Sequence, residues 1–577
     1  MKSLPHEVER RRRLVTRAVP LAIIAIVAFA IGAAAGSPGS PEREAAQRFT
    51  DAWARKDFAA MYGELNSASR AGVKQAEFVD AYRSSAQVAT MRRLEAASPG
   101  DTVRHEGATM VPVPVLADTV AFGRIEATLD VPFSEGGVQW DPSLTFPGLK
   151  PGEHLENRIE LAPRAQILAV DGTPLAEGPA ENRTHPLGSA AIDVTGEVSL
   201  PDARDLPELT RHGFSAETPV GVSGLERAFN ARLAGKPGGS LFAVANDGSS
   251  ARILVESKPQ PGFPVKTSID PALQASAVSA LAGRAGGIAV LNARNGNVVA
   301  LAGQAFSAPQ PPGSTFKMIT TTAALEQHVV SLDDEFPILN GINVGGRFVS
   351  NANGEYCGGT FRQAFAESCN ADFVPLGPKI GNDALVETAE RFGFNSPPSL
   401  YAPQIVRGVD LPEPSIPTEI GDELDLGVSA IGQGEVLATP LEMATVAQTI
   451  GNGGVREPTS IVLNAKLRPN AKPVRVMSKK VADELTELMI GVVTEGTGTA
   501  GAIPEAQVAG KTGTAELGPE PGQENSPNPV QAKDAWFAAF APAGGARLAI
   551  GVLLIDAGAA GGEVAAPAAA QVLSTGL

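Results

Sequence analysis

The sequence contains few of the residues that proteins use to hold metal ions. Its 577 residues include 2 cysteines and 6 histidines, and no two histidines have the H-x-x-x-H spacing of a zinc hydrolase. Basic residues are outnumbered, since 47 Lys and Arg face 63 Asp and Glu and give a net charge of −16. A surface that neutralises nucleic-acid phosphates needs the opposite balance. We therefore expect no metal site and no nucleic-acid partner.

Two common catalytic motifs are incomplete. Residues 510–512 (Gly-Lys-Thr) resemble the end of a phosphate-binding loop, but Glu505 occupies the position of the loop's first glycine. Ser314 has Pro312 and Phe316 where a G-x-S-x-G nucleophile elbow has its two glycines. These departures argue against a P-loop nucleotide site and against an α/β-hydrolase elbow.

Long apolar runs are absent except near the start of the sequence. Residues 1–17 carry six basic side chains, and Ala18–Gly36 then runs for nineteen residues without a charge. Such a run nearly crosses a bilayer core of ~30 Å, and the arginines before it favour a cytoplasmic N-terminus. We predict a single-pass cell-membrane protein with a cytoplasmic tail at 1–17, an anchor at 18–36 and the remainder extracytoplasmic. A cleaved signal peptide is the alternative, because Ala33-Ala34-Ala35 resembles a cleavage site.

The length implies several domains, because single cores stop growing near ~250–300 residues. Within residues 37–155, a helical period over 42–95 gives way to alternating, β-rich segments over 107–149. This change predicts an α+β unit, which we expect to be cone-shaped. Residues 156–240 contain short strand-like segments punctuated by Pro and Gly, and we interpret them as a β-rich linker domain.

Residues 241–577 are predicted to form the last domain. A hairpin is expected at Asn295-Gly296, because these two residues suit the positive φ angles of a type I′ turn. A helix-rich middle follows, and strand-like segments return over 507–517, 535–540 and 547–556. Strands at both ends of a helical block predict a central sheet flanked by helices.

The first chemical signal is a serine with a lysine one helical turn away. Ser314 and Lys317 lie in the segment PPGSTFK at the start of an apolar helical pattern, so their side chains share one face. A serine hydroxyl needs a base to act as a nucleophile, and a lysine can serve when burial and a neighbouring cation lower its pKa. The pair alone is weak evidence, because S-x-x-K occurs by chance in many helices.

Two further polar motifs follow in the order that this chemistry requires. The segment Ser368-Cys369-Asn370 begins 54 residues after Ser314, and its serine could relay a proton while its amide holds a peptide group. The segment Lys511-Thr512-Gly513-Thr514 lies on a predicted strand. There the lysine supplies positive charge, the threonine hydroxyls can bind a carboxylate, and the glycine lets a ligand approach the backbone. An ordinary strand lysine explains the last motif alone, but not all three in order.

With these motifs the chain resembles the class B penicillin-binding proteins. The similarity covers most of the sequence after residue 36 and includes PPGSTFK, SCN, GKTGTAE and linker motifs near Pro163 and Gly224. Residues 37–155 resemble the nuclear-transport-factor-2-like extension of the methicillin-resistance type. The resemblance implies a linker domain of the dimerisation type over 156–240, and a serine β-lactamase-like transpeptidase domain with a central antiparallel sheet over 241–577. One departure is PRAQ in the linker, where relatives read P-R-G.

The resemblance implies a D,D-transpeptidase that cross-links peptidoglycan stem peptides ending in D-Ala-D-Ala without any cofactor. Ser314 would be the nucleophile, Lys317 its base and Ser368 the proton relay. Substrate would be held by residues of the second and third motifs, namely Asn370, Lys511, Thr512, Gly513 and Thr514. Backbone N–H groups of Ser314 and Thr514 would form the oxyanion hole, and β-lactam antibiotics would acylate Ser314. A separate glycan polymerase is the expected partner, because no glycosyltransferase domain precedes the linker.

Two other functions remain open at this point. A membrane β-lactam sensor would be acylated without wall chemistry, although the seventeen residues before the predicted anchor leave no room for a cytoplasmic effector. A D,D-carboxypeptidase or β-lactamase would instead hydrolyse the acyl-enzyme. The segment Glu335–Asn340 superficially suggests the deacylating glutamate of class A β-lactamases, but it precedes Ser368 rather than following it.

Cys357 and Cys369 are the only cysteines, and they lie outside the reducing cytoplasm if the predicted topology holds. A disulfide between them would brace the segment that carries Ser368 and Asn370. Two buried free thiols are also common in proteins, so the sequence leaves the disulfide as a hypothesis.

Overall fold

The computed structural model describes residues 40–105, 108–402, 411–519 and 531–577, whose contacts divide the chain into two compact units. The first unit contains the described residues up to Pro163 together with Leu200–Thr218 and Ala234–Gly262. The second contains Arg164–Ser199, Pro219–Leu233 and Phe263–Leu577. Residues 156–240, predicted as one linker domain, contribute to both units.

No helix in the described ranges is long and apolar enough to cross a membrane. The predicted tail at 1–17 and the predicted anchor at 18–36 lie outside those ranges.

The first unit begins with four short helices. Ser40 accepts a hydrogen bond from the backbone N–H of Arg43, and Pro41 suits the first helical position because its missing N–H needs no partner there. Apolar side chains at helical spacing, such as Phe49 and Trp53, are buried in the core of this unit. The helices span Pro41–Ala54, Phe58–Gly63, Ser67–Gly72 and Gln75–Val88, and a fifth, Leu206–Arg211, follows later in the chain.

An antiparallel sheet completes the core of the first unit. Its two long strands pair along their whole length, and alternate residues such as Val111, Val113 and Val115 are buried. The helical prediction over 42–95 extends too far, because Met91–Ala96 pairs with the long strand Ala108–Thr119 and buries Leu94 in the core of the unit. The strands of this sheet are Met91–Ala96, Val103–His105, Ala108–Thr119, Gly123–Ser134 and Gly137–Val138. A separate three-stranded sheet contains Glu153–Glu160, Gly238–Ala245 and Ala251–Ser257.

The second unit contains a buried cluster of charges near the linker motifs. Glu226 accepts a hydrogen bond from Arg164 Nε at 2.6 Å and another from Arg183 Nε at 2.7 Å, and all three side chains are nearly inaccessible to solvent. The two guanidinium groups compensate the carboxylate for its lost hydration. The cluster therefore fixes three separate segments of the chain against one another.

A five-stranded antiparallel sheet forms the centre of the second unit. We label its strands β1 (Gly286–Asn292), β2 (Val298–Gly303), β3 (Ala509–Pro519), β4 (Gln531–Ala541) and β5 (Leu548–Leu554), and their spatial order is β2-β1-β5-β4-β3. All seven residues of β5 are buried because helices cover both faces of the sheet. Alternate residues enter different cores, with Leu553 on one side and Val552 on the other. The predicted central sheet, built from both ends of the domain, is confirmed.

Helices on the two faces of this sheet begin at polar caps. Asp270 and Thr439 each accept a hydrogen bond from a backbone N–H in the first turn that follows them. A Cβ at Gly551 of β5 would collide with the carbonyl oxygen of Pro440, so glycine there permits close packing of helix on sheet. The helices used below are α1 (Pro271–Leu281), α2 (Lys317–Glu326), α3 (Phe361–Ala366), α4 (Asn370–Phe373), α5 (Pro440–Gly451), α6 (Lys479–Thr494) and α7 (Gly561–Gly576).

Shorter elements surround the sheet and its helices. Further helices are Ser189–Thr195, Gly224–Ala228, Asn230–Ala234, Leu376–Ile380, Asn382–Phe392 and Glu423–Ala430. Small antiparallel pairs are Val198–Ser199 with Val220–Gly221, Glu335–Leu339 with Cys357–Thr360, Gly341–Val344 with Arg347–Ser350, and Val455–Arg456 with Val474–Arg475. Ile167–Leu168, Pro174–Ala176 and Val265–Lys266 form one three-stranded sheet.

The turn between β1 and β2 differs from the predicted type I′ turn. Gly296 has a φ of 67°, but Asn295 does not have a positive φ. The pairing of the two strands shifts register after Val290, which lengthens the connection and leaves one left-handed position instead of two.

Candidate active site

Ser314 lies at the start of a helix that packs against the edge strand β3. Residues Gly313–Phe316 form a 3₁₀ turn that continues directly into α2. Gly313 has a φ of 51°, and a Cβ there would lie 2.8 Å from the carbonyl oxygen of Thr514. Only glycine allows this approach without strain. The Ser314 side chain remains partly exposed, whereas the residues after it on α2 are buried.

Lys317 connects the first motif to the second. Its side chain is fully buried, and its Nζ donates hydrogen bonds to the carbonyl oxygen of Ser368 at 2.8 Å and to Asn370 Oδ1 at 2.8 Å. Ser368 Oγ lies 3.4 Å from the same nitrogen, and the ring centroid of Phe373 lies 4.9 Å away. Lys317 is therefore held by several partners at the N-terminal end of α4.

Lys511 of β3 reaches the same serine from the other side. Its Nζ donates hydrogen bonds to Ser368 Oγ at 2.8 Å and to the carbonyl oxygen of Thr512 at 3.1 Å. This side chain is also fully buried. The hydroxyl of Ser368 thus lies between the amino groups of Lys317 and Lys511, and the structure brings residues of all three motifs into one site.

Burial changes the protonation of both lysines. The pKa of Lys317 is well below its usual value because burial removes the hydration of the ammonium group, with a further decrease from Lys511 and an opposing increase from Asp372. Burial lowers the pKa of Lys511 to about 7. Burial also raises the pKa of Asp372 to about 6, opposed by Lys317 and reinforced by Glu367. A lysine with a lowered pKa can supply the neutral amine that a general base requires.

The remaining residues of the third motif lie along β3 above Ser314. Thr512 Oγ1 is 2.5 Å from Thr497 Oγ1, and Thr514 Oγ1 accepts a hydrogen bond from the backbone N–H of Gly561 at 3.3 Å. A Cβ at Gly513 would lie 2.7 Å from the carbonyl oxygen of Pro312. Glycine at this position lets the segment that carries Ser314 pack on the strand, a reason that the sequence did not suggest.

Cys357 and Cys369 form a disulfide, with their Cα atoms 5.8 Å apart. Asn351 supports the same region, since its Nδ2 donates to the Cys357 sulfur at 3.2 Å and its Oδ1 accepts from the backbone N–H of Ala371. Asn370 Nδ2 donates to the carbonyl oxygen of Ser350 at 3.0 Å. The segment that carries the second motif is therefore held on both sides.

The two cysteines and Glu367 are near enough to suggest metal ligands, but sulfur atoms in a disulfide offer no thiolate.

Two residues near the site were not found from the sequence. Thr497 follows α6 in a Gly-Thr-rich loop and contacts Thr512 from outside the third motif. Asp372 lies two residues after Asn370, so its nearness to the second motif was a usable signal.

Comparison with known protein families identifies the family to which this site belongs. The sequence profile of the penicillin-binding protein transpeptidase domain matches residues 286–574, which include all three motifs. The chain belongs to the penicillin-binding protein transpeptidase family. The profile of the penicillin-binding protein dimerisation domain matches residues 177–267, and that of the NTF2-like N-terminal transpeptidase domain matches residues 41–153. The resemblance drawn from the motifs is therefore confirmed.

Individual relatives agree with this family. The chain is 36% identical over 295 residues to the peptidoglycan D,D-transpeptidase PbpA of Mycobacterium tuberculosis, a match that covers 48% of this chain and 57% of the relative. The chain thus spans little more than half the length of that relative. A match to the peptidoglycan D,D-transpeptidase FtsI of Escherichia coli has 27% identity and covers 62% of this chain and 64% of the relative.

Solved structures of related proteins have the same fold. A penicillin G acyl-enzyme complex of penicillin-binding protein A from M. tuberculosis matches with a TM-score of 0.55 and 28% identity, covering 72% of this chain and 99% of that one. The D,D-transpeptidase domain of a peptidoglycan glycosyltransferase from Eggerthella lenta matches with a TM-score of 0.57 and 29% identity, covering 71% and 97%.

Proposed function

We propose that this penicillin-binding protein is a serine D,D-transpeptidase that joins peptidoglycan stem peptides. The observation that supports this most directly is the position of Ser368 Oγ between Lys317 Nζ and Lys511 Nζ. A hydroxyl between two amino groups of lowered pKa can receive and pass on a proton. The names of the related M. tuberculosis and E. coli proteins agree with the same reaction.

In the acylation step, Ser314 Oγ attacks the penultimate carbonyl of a donor ending in D-Ala-D-Ala. Neutral Lys317 accepts the hydroxyl proton, and the backbone N–H groups of Ser314 and Thr514 stabilise the oxyanion. The C–N bond to the terminal D-alanine then breaks, and its nitrogen receives the proton through Ser368. The products are an ester on Ser314 and free D-alanine.

The donor carboxylate is assigned to the third motif. Lys511 supplies the positive charge, the hydroxyls of Thr512 and Thr514 donate hydrogen bonds, and Gly513 lets the strand pack against the segment that carries Ser314. Asn370 holds the donor peptide backbone.

In deacylation an acceptor amine attacks the ester, loses a proton to Lys317 and restores the Ser314 hydroxyl. β-Lactam antibiotics enter as donor mimics and leave Ser314 acylated.

The experiment that tests these assignments is labelling with a fluorescent penicillin. We expect the wild-type protein to be labelled, and Ser314→Ala and Lys317→Ala to remain folded but unlabelled. Thr315→Ser, which alters a buried neighbour of the nucleophile, is the matched control and should retain labelling. A folded Ser314→Ala variant that still binds penicillin covalently would refute the assignment of the nucleophile.

Product analysis separates transfer from hydrolysis. A donor stem-peptide mimic should give more amide than acid when its acceptor amine is supplied, and β-lactam adducts on Ser314 should survive for many minutes. Rapid turnover of penicillin would assign the protein to the β-lactamases. Dominant hydrolysis with the acceptor present would assign it to the D,D-carboxypeptidases, and acylation without activity on any stem peptide would support a sensor.

We also propose that Ala18–Gly36 anchors the protein in the cell membrane, with the catalytic unit outside the cytoplasm. The uncharged run and the basic residues before it support this topology. Protease added to intact spheroplasts should digest the chain after the anchor, and protection of residues 100–577 would contradict this topology.

A separate glycan polymerase is the expected partner, since stem peptides must be cross-linked on newly made glycan.

A further inference from the structure

Asp372 is a buried acid beside the candidate site that the proposed mechanism does not use. It lies on α4, two residues after Asn370, and its relative exposure is 2%. Its Oδ2 is shielded from solvent and has no hydrogen-bond partner among the described residues. No ion pair joins its carboxylate to a described side chain. A carboxylate kept in this environment needs a compensating charge nearby.

Lys317 is the basic side chain whose charge acts on Asp372. Two neighbours of Asp372 on α4 contact the lysine, since Asn370 Oδ1 accepts a hydrogen bond from its Nζ and the Phe373 ring lies beside it. The negative charge of Asp372 raises the pKa of Lys317, and the positive charge of Lys317 lowers the pKa of Asp372. The two groups therefore interact through the low-dielectric interior without touching.

The charged neighbours of this pair are few. Lys317 is faced by Lys511 from β3 and by Asp372 from α4. Asp372 is faced by Lys317 from α2 and by the exposed Glu367 from the end of α3. Neither buried lysine forms an ion pair with a carboxylate in the described part of the chain. Two lysines and one acid therefore share one buried region.

We propose that Asp372 is a positioning residue whose carboxylate stabilises the ammonium form of Lys317 and thereby controls the protonation of that lysine. It does not contact substrate. The proposal rests on the proposed function, because it assumes that Lys317 is the base of the acylation step. Without the carboxylate, the Lys317 ammonium group is less stable and loses its proton at a lower pH.

The experiment is the pH dependence of the second-order rate constant for acylation by penicillin, measured on the full chain. Asp372→Asn removes the charge but keeps the shape of a side chain whose Oδ2 makes no hydrogen bond. We expect the acidic limb of its profile to move to lower pH by about one unit, the size expected for removing a nearby charge. The basic limb, which we assign to Lys511, should stay in place. Because Asp372 and Lys317 titrate together, the apparent pKa of the acidic limb belongs to the pair and not to either residue alone.

Three matched variants complete the test. Glu367→Gln removes one exposed negative charge close by and should shift the acidic limb much less than Asp372→Asn does, because solvent screens an exposed charge, and Asp372→Glu keeps the charge and should retain the wild-type profile. Asp372→Ser is the second neutral variant if Asp372→Asn does not fold. An unshifted acidic limb in a folded neutral variant would overturn the proposal, as would an equal loss of rate at every pH. Failure of the proposed function is recognised separately, because Lys317→Ala would then still be acylated.

Discussion

Lys511 Nζ donates a hydrogen bond to Ser368 Oγ at 2.8 Å, although 143 residues separate them in the sequence. Ser368 adopts a φ of 62°, a left-handed conformation that costs an ordinary residue about 1–3 kcal/mol. Its neighbours maintain this conformation, with the carbonyl oxygen on Lys317 and the hydroxyl on Lys511. The second motif is thus oriented before any substrate binds, which reduces the ordering required during acylation.

Replacing Lys511 by arginine should remove the basic limb of the acylation profile. The pKa of Lys511 is lowered to about 7, so its positive charge, which binds the donor carboxylate, is lost as the pH rises through that value. Arginine keeps its charge throughout this range. We expect Lys511→Arg to react more slowly at its optimum but to lose no further activity between pH 7 and 9. The exposed Lys479→Arg is the control, and a basic limb that persists in Lys511→Arg would assign it to another group.

Thr497→Val should weaken donor binding without removing the nucleophile. The hydroxyls of Thr497 and Thr512 lie 2.5 Å apart, so valine leaves Thr512 free to rotate away from the substrate carboxylate. Loss of a neutral hydrogen bond costs about 0.5–1.5 kcal/mol, which corresponds to a roughly two- to tenfold slower second-order acylation. Stopped-flow acylation measures this effect, with the exposed Thr499→Val as its control. Equal rates for the two variants would contradict the role of Thr497.

The disulfide should stabilise the unit that contains the candidate site. A cross-link between residues 12 apart lowers the conformational entropy of the unfolded chain. The folded state is thereby stabilised by about 2–3 kcal/mol. The double variant Cys357→Ser/Cys369→Ser should therefore melt at a lower temperature and be acylated more slowly, because Ser368 and Asn370 lose their support. Thermal melting and thiol alkylation of the unfolded protein without reductant check this. Two reactive thiols in that assay would exclude the disulfide.

Glu442 should make the protein less stable as the pH rises. It lies on α5, its Oε1 is buried without a hydrogen-bond partner, and burial raises its pKa from 4.5 to about 7 despite the nearby Arg456. Since the folded state disfavours the charged form, stability falls between pH 4.5 and 7, by about 3 kcal/mol in total. Denaturation of Glu442→Gln at pH 5 and pH 8 should lack this loss, and the exposed Glu423→Gln should retain it. Identical pH dependence in Glu442→Gln would refute the assignment.

The sequence was most informative where local pattern and motif order determine structure. The strands predicted over 507–517, 535–540 and 547–556 correspond to β3, β4 and β5. For β4 and β5 the signal is a continuous apolar run, which marks a strand buried on both faces. Met91–Ala96 was missed because short segments take their conformation from the strand they pair with.

The contacts within the site were less accessible from sequence. Motif order predicts which residues take part, but it does not predict that both lysines contact Ser368 or that Thr497 reaches Thr512 from a distant loop. Asp372 is marked in the sequence only by its position two residues after Asn370. Its influence depends on burial beside Lys317, which is a property of the folded unit. The roles of the individual site residues remain predictions to be tested by substitution.

The pairing of β1 with β5 determines when the central sheet can form during synthesis. Gly286 pairs with Leu554, so the first strand must wait for more than 250 further residues before its neighbour exists. Until then one edge of β1 has no partner, and apolar side chains on both of its faces lack their packing. A ribosome that stops before β5 therefore releases a chain with Ser314 and Lys511 already made but without the strand that joins the β1–β2 pair to the β3–β4 pair. Truncations of the last thirty residues should for this reason abolish folding of the whole second unit, however far they lie in sequence from the nucleophile.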